Sequence, residues 1–363
     1  MANTFLTPKI IANEALMVLE SQLTMANLVH RDYSQEFVKV GDTITVRKPA
    51  KFVAKNFVGA THGQDITEGS VEVKMDRFRD VTVNVTSKEL TLDIKDFSEQ
   101  VVTPALSAIA QAIDMDLLAV GVEKAGKKAT VSSTPKLEDI AGVGKALDMS
   151  KAPLQNRRLV LPAEIRYKYN TLDNFAKQCY AGDSKALRDA EIGKVYTCET
   201  YASENCPHSA ATTPGTATAY KVAGTKDTQQ FTVTNGTPTT GKIAAGDQLI
   251  VGGYLYTVTE DLTLTSGGGT LKVDQNLPAD IEATDAKVIS KAHALGFHRN
   301  GIALVTRQLE LPMGASKAYI ASANGLAVRV VMDYDSKSKT DSISFDIIYG
   351  IKELDTNLLV DFS

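Results

Sequence analysis

The first pattern of apolar and polar positions along the chain is that of a helix near the N-terminus. Thr7 followed by Pro8 is typical of a helix start, because threonine accepts hydrogen bonds from free N–H groups and proline has no N–H to leave unpaired. Ile11, Leu16 and Leu19 lie on the apolar stripes of the segment that follows. We predict an amphipathic helix, and a helix of this kind usually packs on its own domain.

A second helical pattern, longer and more apolar, occupies residues 104–125. Asp96 with Glu99 is one capping pattern for its start, and Thr103 before a proline is another, so two starts stay open. Gly126 is a natural end. At about 1.5 Å per residue the helix would be about 33 Å long, and the pattern predicts that it faces a core.

Between the two helices, alternation predicts strands at residues 43–47 and 81–86. The enclosed residues 48–80 contain too few apolar side chains for a core of their own. The large ones include Phe52, Val53, Phe57, Val58 and Met75. An extended hairpin with about 15 residues per arm would reach about 50 Å. Such a ribbon is marginally stable alone in water and needs a surface to lie on, so the alternative is a disordered surface loop.

Beyond the long helix, the chain mixes helical and strand patterns and then changes composition. The first stretch predicts a helix at 136–149, a strand at 158–161, helical chain at 162–172 and a strand at 195–200. Residues 209–290 are rich in threonine and glycine, with strands predicted at 230–234, 248–251, 254–259 and 270–273. Asn-Gly and glycine-pair turns separate these short strands. Their length and spacing suggest a small antiparallel barrel or sandwich, inserted into a domain that continues after it.

Composition excludes several classes of protein. Apolar content of 43% and charged content of 23% are ordinary for a globular protein, and the net charge of -4 is not that of a dedicated nucleic-acid binder. Cys179, Cys198 and Cys206 have no metal-ligand spacing, which favours free thiols in a reducing compartment. We expect neither a secretory signal nor an apolar run long enough to span a membrane, and therefore a soluble cytoplasmic product.

No enzyme motif has the required spacing. Residues 141–146, AGVGKA, lack the first glycine and the Ser or Thr of a phosphate-binding loop. Asp333 and Asp335 could chelate a cation, but acidic pairs at a strand end are usually solvated. His293 and His298 do not have the i, i+4 spacing of a helical zinc site. We therefore predict no catalytic residue, no metal and no cofactor.

Three C-terminal segments carry a resemblance to a known family. They are AHALGFHRNGIALVTRQLELP at residues 292–312, GLAVRVVMDYD at 325–335 and DIIYGIKELD at 346–355. With MANTFLTPKIIANEAL at the start and the long helix, they resemble the coat proteins of short-tailed Salmonella-type bacteriophages. The resemblance implies an α+β fold, the capsid fold named after phage Hong Kong ninety-seven.

The same resemblance implies a division of the chain and a set of contacts. Residues 1–42 would be an N-terminal arm, 43–86 an extended loop hairpin, 87–130 a peripheral domain with a spine helix, 131–208 the first part of an axial domain, 209–290 an inserted small antiparallel β-barrel domain, and 291–363 the axial and peripheral return. Contacts with neighbouring subunits would come from Phe52, Val53, Phe57, Val58 and Met75 of the loop, and from Ile11, Leu16 and Leu19 of the arm.

The implied function is that of a major capsid protein rather than an enzyme. Copies would assemble through heterologous contacts into the pentamers and hexamers of an icosahedral shell around the double-stranded DNA of a tailed phage. Further partners would be a separate scaffolding protein, a portal protein and DNA packaged without sequence specificity. No membrane is implied, and assembly in the host cytoplasm would place the product in the virion capsid. The alternatives are a shell protein of a cellular nanocompartment with the same fold, and a soluble hydrolase with a β-rich accessory domain.

Overall fold

The structure of the chain is a computed structural model that divides into two units. The described residues are 8–31, 43–47, 54, 56, 70–86, 101–132, 134–176, 192–208, 219–237, 241–265, 268–289, 291–312, 317–323, 325–335 and 340–363. The first unit comprises Met1–Leu23, His30–Ala110 and Ala303–Leu354. The second unit comprises Thr24–Val29, Gln111–Ile302 and Asp355–Ser363.

Helices and strands alternate through the first half of the chain, and strands dominate the second half. The helices are α1 Pro8–Gln22, α2 Met25–Leu28, α3 Thr103–Glu123, α4 Leu137–Met149, α5 Ala163–Asn170 and α6 Asp173–Ala176. The first strands are β1 Thr43–Arg47, β2 Ser70–Lys74, β3 Arg77–Thr86, β4 Lys127–Ala129, β5 Arg157–Leu161, β6 Lys194–Val195 and β7 Cys198–Ala202. The β-rich segment contains β8 Ala219–Gly224, β9 Gln230–Thr237, β10 Gly241–Ile243, β11 Gln248–Val251, β12 Tyr254–Thr257, β13 Leu262–Leu264, β14 Gly269–Lys272 and β15 Ile281–Ile289. The last strands are β16 Ala294–His298, β17 Ile302–Arg307, β18 Lys317–Ala323, β19 Leu326–Asp335, β20 Thr340–Glu353 and β21 Leu359–Phe362.

A five-stranded sheet forms the centre of the first unit. Its strands follow the order β17–β20–β19–β18, and β3 pairs with β20 along ten residues of each strand. On β20, Ile343, Phe345 and Ile347 lie on one face and are buried, because alternate residues of a strand share a face. The amphipathic helix α1 packs on β18 and β19.

The strands β1 and β2 form a separate two-stranded ribbon in the first unit. They pair antiparallel, with Thr43 opposite Lys74 and Arg47 opposite Ser70. Both strands that alternation predicted are present, since residues 43–47 form β1 and residues 81–86 form the end of β3. However, β3 pairs with β20 in the main sheet, whereas β1 pairs with β2. Alternation identifies a strand without identifying its neighbour, which is decided by contacts between residues far apart in sequence.

The second unit contains a mixed sheet that is covered by α4. The strand order is β4–β21–β16–β5–β7–β6, with β5 and β7 parallel and β16 antiparallel to its two neighbours. From α4, Ile140, Val143 and Leu147 are buried in a cluster with Leu159 and Leu161 of β5. Their spacing puts the three α4 side chains on one face of the helix, so the predicted helix at 136–149 is confirmed.

The β-rich segment has its own apolar core. Its six-stranded sheet has the order β12–β11–β15–β8–β9–β14, and β10 pairs with β13. Two backbone hydrogen bonds join the end strands, β12 and β14. Thr259 N donates to Lys272 O at 3.1 Å, and Asp274 N donates to Thr257 O at 3.0 Å. Phe231 and Tyr256 meet edge to face in the core, with ring centroids 5.1 Å apart.

Several predictions for the β-rich segment are confirmed and others are wrong. The strand at 248–251 and the following turn are confirmed, and Gly252 and Gly253 have φ values of 57° and 80° that favour glycine. The predicted Asn235-Gly236 turn is wrong, because both residues lie within β9, where the pairing with β8 shifts register. The sequence pattern also missed β8, β10, β13 and β15.

Helix α3 confirms the predicted long helix and its start at Thr103, while Asp96 and Glu99 lie outside the described residues. The expectation that no stretch is apolar enough to span a membrane is wrong for α3, which is long and apolar enough to do so. However, 72% of that stretch is buried within the protein, and its Asp114 and Asp116 are buried as well. These features are typical of the core helix of a globular protein.

Candidate functional site

The predicted arm residues lie inside the first unit. Ile11, Leu16 and Leu19 are only 2%, 7% and 0% exposed, because α1 turns them toward the sheet. The exposed apolar side chains of α1 are instead Ile10 and Met17. The prediction that the three buried residues contact a neighbouring subunit stays a prediction, and such a contact would require α1 to leave its own sheet.

The predicted loop residues are only partly within the described chain. Phe52, Val53, Phe57 and Val58 lie outside the described residues. Met75 is buried, together with Val73, against Ala303, Val305 and Leu354. Met75 is therefore a core residue at the base of the β1–β2 ribbon, and its predicted contact with a neighbour remains a prediction.

A buried group of three charged or ionisable side chains ties the β-rich segment to the C-terminal strand. Asp361 of β21 is 1% exposed, and its carboxylate lies 3.0 Å from Lys287 Nζ and 2.6 Å from His293 Nδ1. Lys287 belongs to β15, and its Nζ also donates to Val122 O of α3 at 3.3 Å. Burial alone would raise the pKa of Asp361, but the hydrogen bond and charge of His293 and the Lys287 ammonium hold the pKa below its ordinary value.

A second link joins the β-rich segment to the end of α3. The N–H of Gly253, in the β11–β12 turn, donates to Glu123 Oε2 at 2.7 Å. At the other end of β11, His208 N donates to Gln248 Oε1 at 2.7 Å. In addition, His293 N donates to Pro207 O at 2.9 Å, so the chain leaves for the β-rich segment and returns from it at the same place.

Asp114 of α3 holds the start of α2. Its carboxylate accepts hydrogen bonds from the N–H groups of Thr24, Met25 and Ala26 at 2.9, 3.0 and 3.4 Å. Burial raises the pKa of Asp114 to about 6, and the three N–H donors partly oppose that rise. The residue therefore joins two elements 90 positions apart in sequence at the cost of a buried charge.

Arg157 is a buried cation in the second unit, with 1% of its side chain exposed. Its Nε donates to Pro153 O at 2.8 Å and its Nη2 to Ala152 O at 2.7 Å. Its Nη1 lies 2.7 Å from Asp148 Oδ1 and 3.2 Å from Thr197 Oγ1. The guanidinium thus joins the α4–β5 connection to the β6–β7 turn, as a planar fork of five donors allows.

Around Arg157, the backbone is strained and apolar side chains are exposed. Four non-glycine residues here have positive φ, namely Lys151, Asn156, Tyr196 and Thr197. The exposed apolar side chains are Met149, Leu154 and Tyr196, at 72%, 61% and 51%. Strained backbone and exposed apolar surface both cost stability and are typical of functional surfaces. We call Met149, Leu154 and Tyr196 the exposed apolar group of the second unit.

The candidate catalytic and metal-binding residues do not form a site. Residues 141–146 lie within helix α4, where Gly144 packs against Tyr196, and no phosphate-binding loop forms. His293 bonds to Asp361, whereas His298 Nδ1 pairs with Asn300 N at 3.2 Å. Within the described residues, no group of three or more His, Cys, Asp or Glu side chains could hold a metal ion.

The sequence patterns missed the buried charges at Arg157 and Asp361 and the partly buried Lys287 that pairs with Asp361. Each is a charged residue in or beside an apolar strand, and that position is the only signal in the sequence. The partners are too far apart to be found by spacing, since Lys287 and Asp361 are 74 positions apart.

Three solved structures are similar to this chain over most of its length. A structure from Mycobacterium phage Che8 is 15% identical, with a TM-score of 0.55, and the match covers 94% of this chain and 91% of that chain. The capsid of the cyanophage P-SCSP1u is 11% identical, with a TM-score of 0.50 and coverage of 90% and 84%. The mature capsid of bacteriophage PhiM1 is 7% identical, with a TM-score of 0.51 and coverage of 89% and 82%. No family model and no curated protein sequence matches the chain.

These similarities establish the fold. The chain is an α+β protein with the Hong Kong ninety-seven-like fold of tailed-phage capsid subunits, so the fold class predicted from the sequence is confirmed. The likeness to the Salmonella-type branch and the separate status of the β-rich segment stay predictions.

Proposed function

We propose that this chain is the major capsid protein of a tailed phage, and that many copies form an icosahedral shell of pentamers and hexamers around double-stranded DNA. The observation that carries the proposal is the fold itself, which matches the phage structure over 94% of this chain and 91% of the other. Because the match extends over most of both chains, the proposal accounts for the fold of nearly the whole chain rather than of one part.

The self-association surfaces are proposed to be the extended loop and the exposed apolar group of the second unit. The ribbon of β1 and β2 leads into residues 48–69, which contain the predicted contact residues Phe52, Val53, Phe57 and Val58. The exposed apolar group consists of three large apolar side chains that face solvent in the isolated chain. Burial of apolar area between copies would drive assembly.

The remaining partners are proposed from the resemblance of the sequence to coat proteins. They are a separate scaffolding protein, a portal protein and DNA held without sequence specificity, with assembly in the host cytoplasm and a final location in the virion. The net charge of -4 agrees with a container that does not bind its DNA tightly. Residues 209–290 are proposed to be an inserted domain, and the hydrogen bond between Pro207 and His293 supports this because it joins the two ends of the insertion.

The test is particle formation by the wild-type chain and by a variant without the extended loop. Arg47 and Ser70 are opposite each other in the ribbon, so residues 48–69 can be replaced by a two-residue Asn-Gly turn, which suits an antiparallel hairpin. This design keeps Val73 and Met75, which a longer deletion would remove from the core. Each chain is expressed with its neighbouring phage genes and examined by sedimentation and negative-stain electron microscopy.

We expect closed particles from the wild-type chain, and folded subunits without particles from the loopless variant. Circular dichroism of the loopless subunit should match that of the wild-type subunit, which separates lost assembly from lost folding. A wild-type chain that stays monomeric under all conditions contradicts the proposed function. Particles that contain protein cargo and no portal would favour the nanocompartment shell, and a monomer that hydrolyses a substrate would favour the hydrolase.

A further inference from the structure

The backbone of β2 crosses β20 at Gly350. A Cβ atom at Gly350 would lie 2.4 Å from Lys74 O, 3.1 Å from Lys74 C and 3.0 Å from Val73 Cγ1. Gly350 is not among the described glycines with positive φ, so its backbone angle does not require glycine. The glycine is needed there for space, because the nearest atom, Lys74 O, belongs to the backbone of β2.

The rest of the crossing is held firmly on both sides. On one side, Val73 is fully buried in the cluster with Ala303, Val305 and Leu354. On the other side, Arg77 begins β3 and pairs with Tyr349, the residue beside Gly350. The chain between these two anchors is only three residues long, from Lys74 to Asp76. The direction of β2, and of β1 paired to it, is therefore fixed at this crossing.

We propose that Gly350 is a positioning residue for assembly, because the missing side chain lets β2 lie directly on β20 and so sets the direction in which the β1–β2 ribbon leaves the first unit. This inference rests on the proposed function, since the ribbon leads into the loop that we propose contacts a neighbouring subunit. Gly350 itself contacts no neighbour in this scheme.

A methyl group at this position would change the direction of the ribbon. The Lys74 carbonyl cannot rotate away as a side chain could, so β2 would have to lift by about 1 Å to restore ordinary van der Waals contact. The paired part of the ribbon is five residues long, or about 17 Å at the usual rise of a strand. A tilt at the base of the ribbon therefore moves its far end by more than it moves the base, and a closed shell repeats that error in every subunit.

The experiment compares Gly350→Ala with the matched control Gly142→Ala in the full-length chain. Gly142 lies in α4, and the nearest atom to a Cβ there is Ala129 Cβ at 3.9 Å, so the same methyl group meets no obstruction. Particle yield is measured by sedimentation under the conditions in which the wild-type chain assembles. The direction of the ribbon is measured in the subunit as the distance between two spin labels. The labels are attached at Glu72→Cys and Lys317→Cys, two exposed positions of the first unit, in a chain that also carries Cys179→Ser.

We expect Gly350→Ala to remain folded, to shift the spin-label distance, and to lower the yield of closed particles by about ten-fold, the effect of one modestly weakened contact. Gly142→Ala should match the wild-type chain in all three measurements. Normal particle yield from folded Gly350→Ala would overturn the inference while leaving the proposed function intact, whereas absence of wild-type particles would overturn the proposed function.

A second variant covers the outcome in which Gly350→Ala does not fold. Val73→Ala keeps the glycine but removes the side chain that holds β2 down at the crossing. It should fold, broaden the distribution of spin-label distances and lower particle yield. Normal yield from Val73→Ala with a broadened distribution would overturn the inference, because ribbon direction would then not matter for assembly.

Discussion

Replacing Asp361 with asparagine should destabilise the second unit substantially. The carboxylate of Asp361 is 1% exposed and accepts from both Lys287 and His293, at 3.0 and 2.6 Å. Asparagine has nearly the same shape but no charge, and its amide offers a single acceptor oxygen. The variant therefore leaves the Lys287 ammonium without its counter-ion while keeping the packing of β21 unchanged.

The expected loss of unfolding free energy follows from the burial of the partners. Removing one member of a buried ion pair costs about 3–5 kcal/mol when the other charge is left fully buried. The side chain of Lys287 is 28% exposed, so water can partly solvate it, and the remaining amide oxygen can still accept one hydrogen bond. The loss for Asp361→Asn should consequently be about 2–4 kcal/mol at neutral pH.

The dependence on pH gives a second check. The pKa of Asp361 is lowered in the folded chain, so its stabilising effect is present above the unfolded pKa and is lost as the pH falls through the folded pKa. The difference between wild type and variant should therefore be largest near neutral pH and should shrink below about pH 4, the ordinary range of an aspartate.

Urea unfolding followed by circular dichroism measures this loss. The matched control is Glu260→Gln, which removes the carboxylate of an exposed pair, Glu260 with Lys272 at 2.8 Å, and should change stability little. Stability of Asp361→Asn within about 0.5 kcal/mol of wild type at neutral pH would refute the argument that this buried group holds the β-rich segment to β21.

Three further predictions concern other buried groups. Asp114→Asn should remove a pH dependence of the unfolding free energy. The pKa of Asp114 is raised from 3.8 to about 6, so the stability that this residue contributes is fully present below pH 3.8 and is lost as the pH rises through 6. Across that pH range, the unfolding free energy of the wild-type chain, measured with urea, should fall by about 3 kcal/mol relative to that of Asp114→Asn. Parallel curves of unfolding free energy against pH would contradict this. Arg157→Lys should lower the unfolding free energy by about 2–4 kcal/mol, because one ammonium cannot reach both Ala152 O and Pro153 O. An unchanged thermal unfolding transition would contradict this prediction. Phe231→Ala should lower the unfolding free energy by about 3–5 kcal/mol, because it opens a cavity in the β-rich core. A loss as small as that of a surface substitution would show that this core is not packed as described.

Local patterns predicted the elements whose boundaries depend on neighbouring residues. Helix α4 was predicted within one residue of its start, and its buried Ile140, Val143 and Leu147 repeat at helical spacing. The β11–β12 hairpin was predicted because Gly252 and Gly253 supply the positive φ values that the turn needs. The resemblance of the C-terminal segments to coat proteins led to the correct fold class, again from residues that are contiguous in the sequence.

The tertiary structure decided which of these elements meet. The pairing of β1 with β2, the burial of Ile11 and Leu19 within their own unit, and the crossing at Gly350 all depend on residues distant in sequence. The charge of Asp361 is tolerated in the interior because Lys287 and His293 pair with it, and no local pattern encodes that meeting of residues distant in sequence. Helix and turn propensities act over a few residues, whereas burial and charge pairing are settled when the whole chain packs.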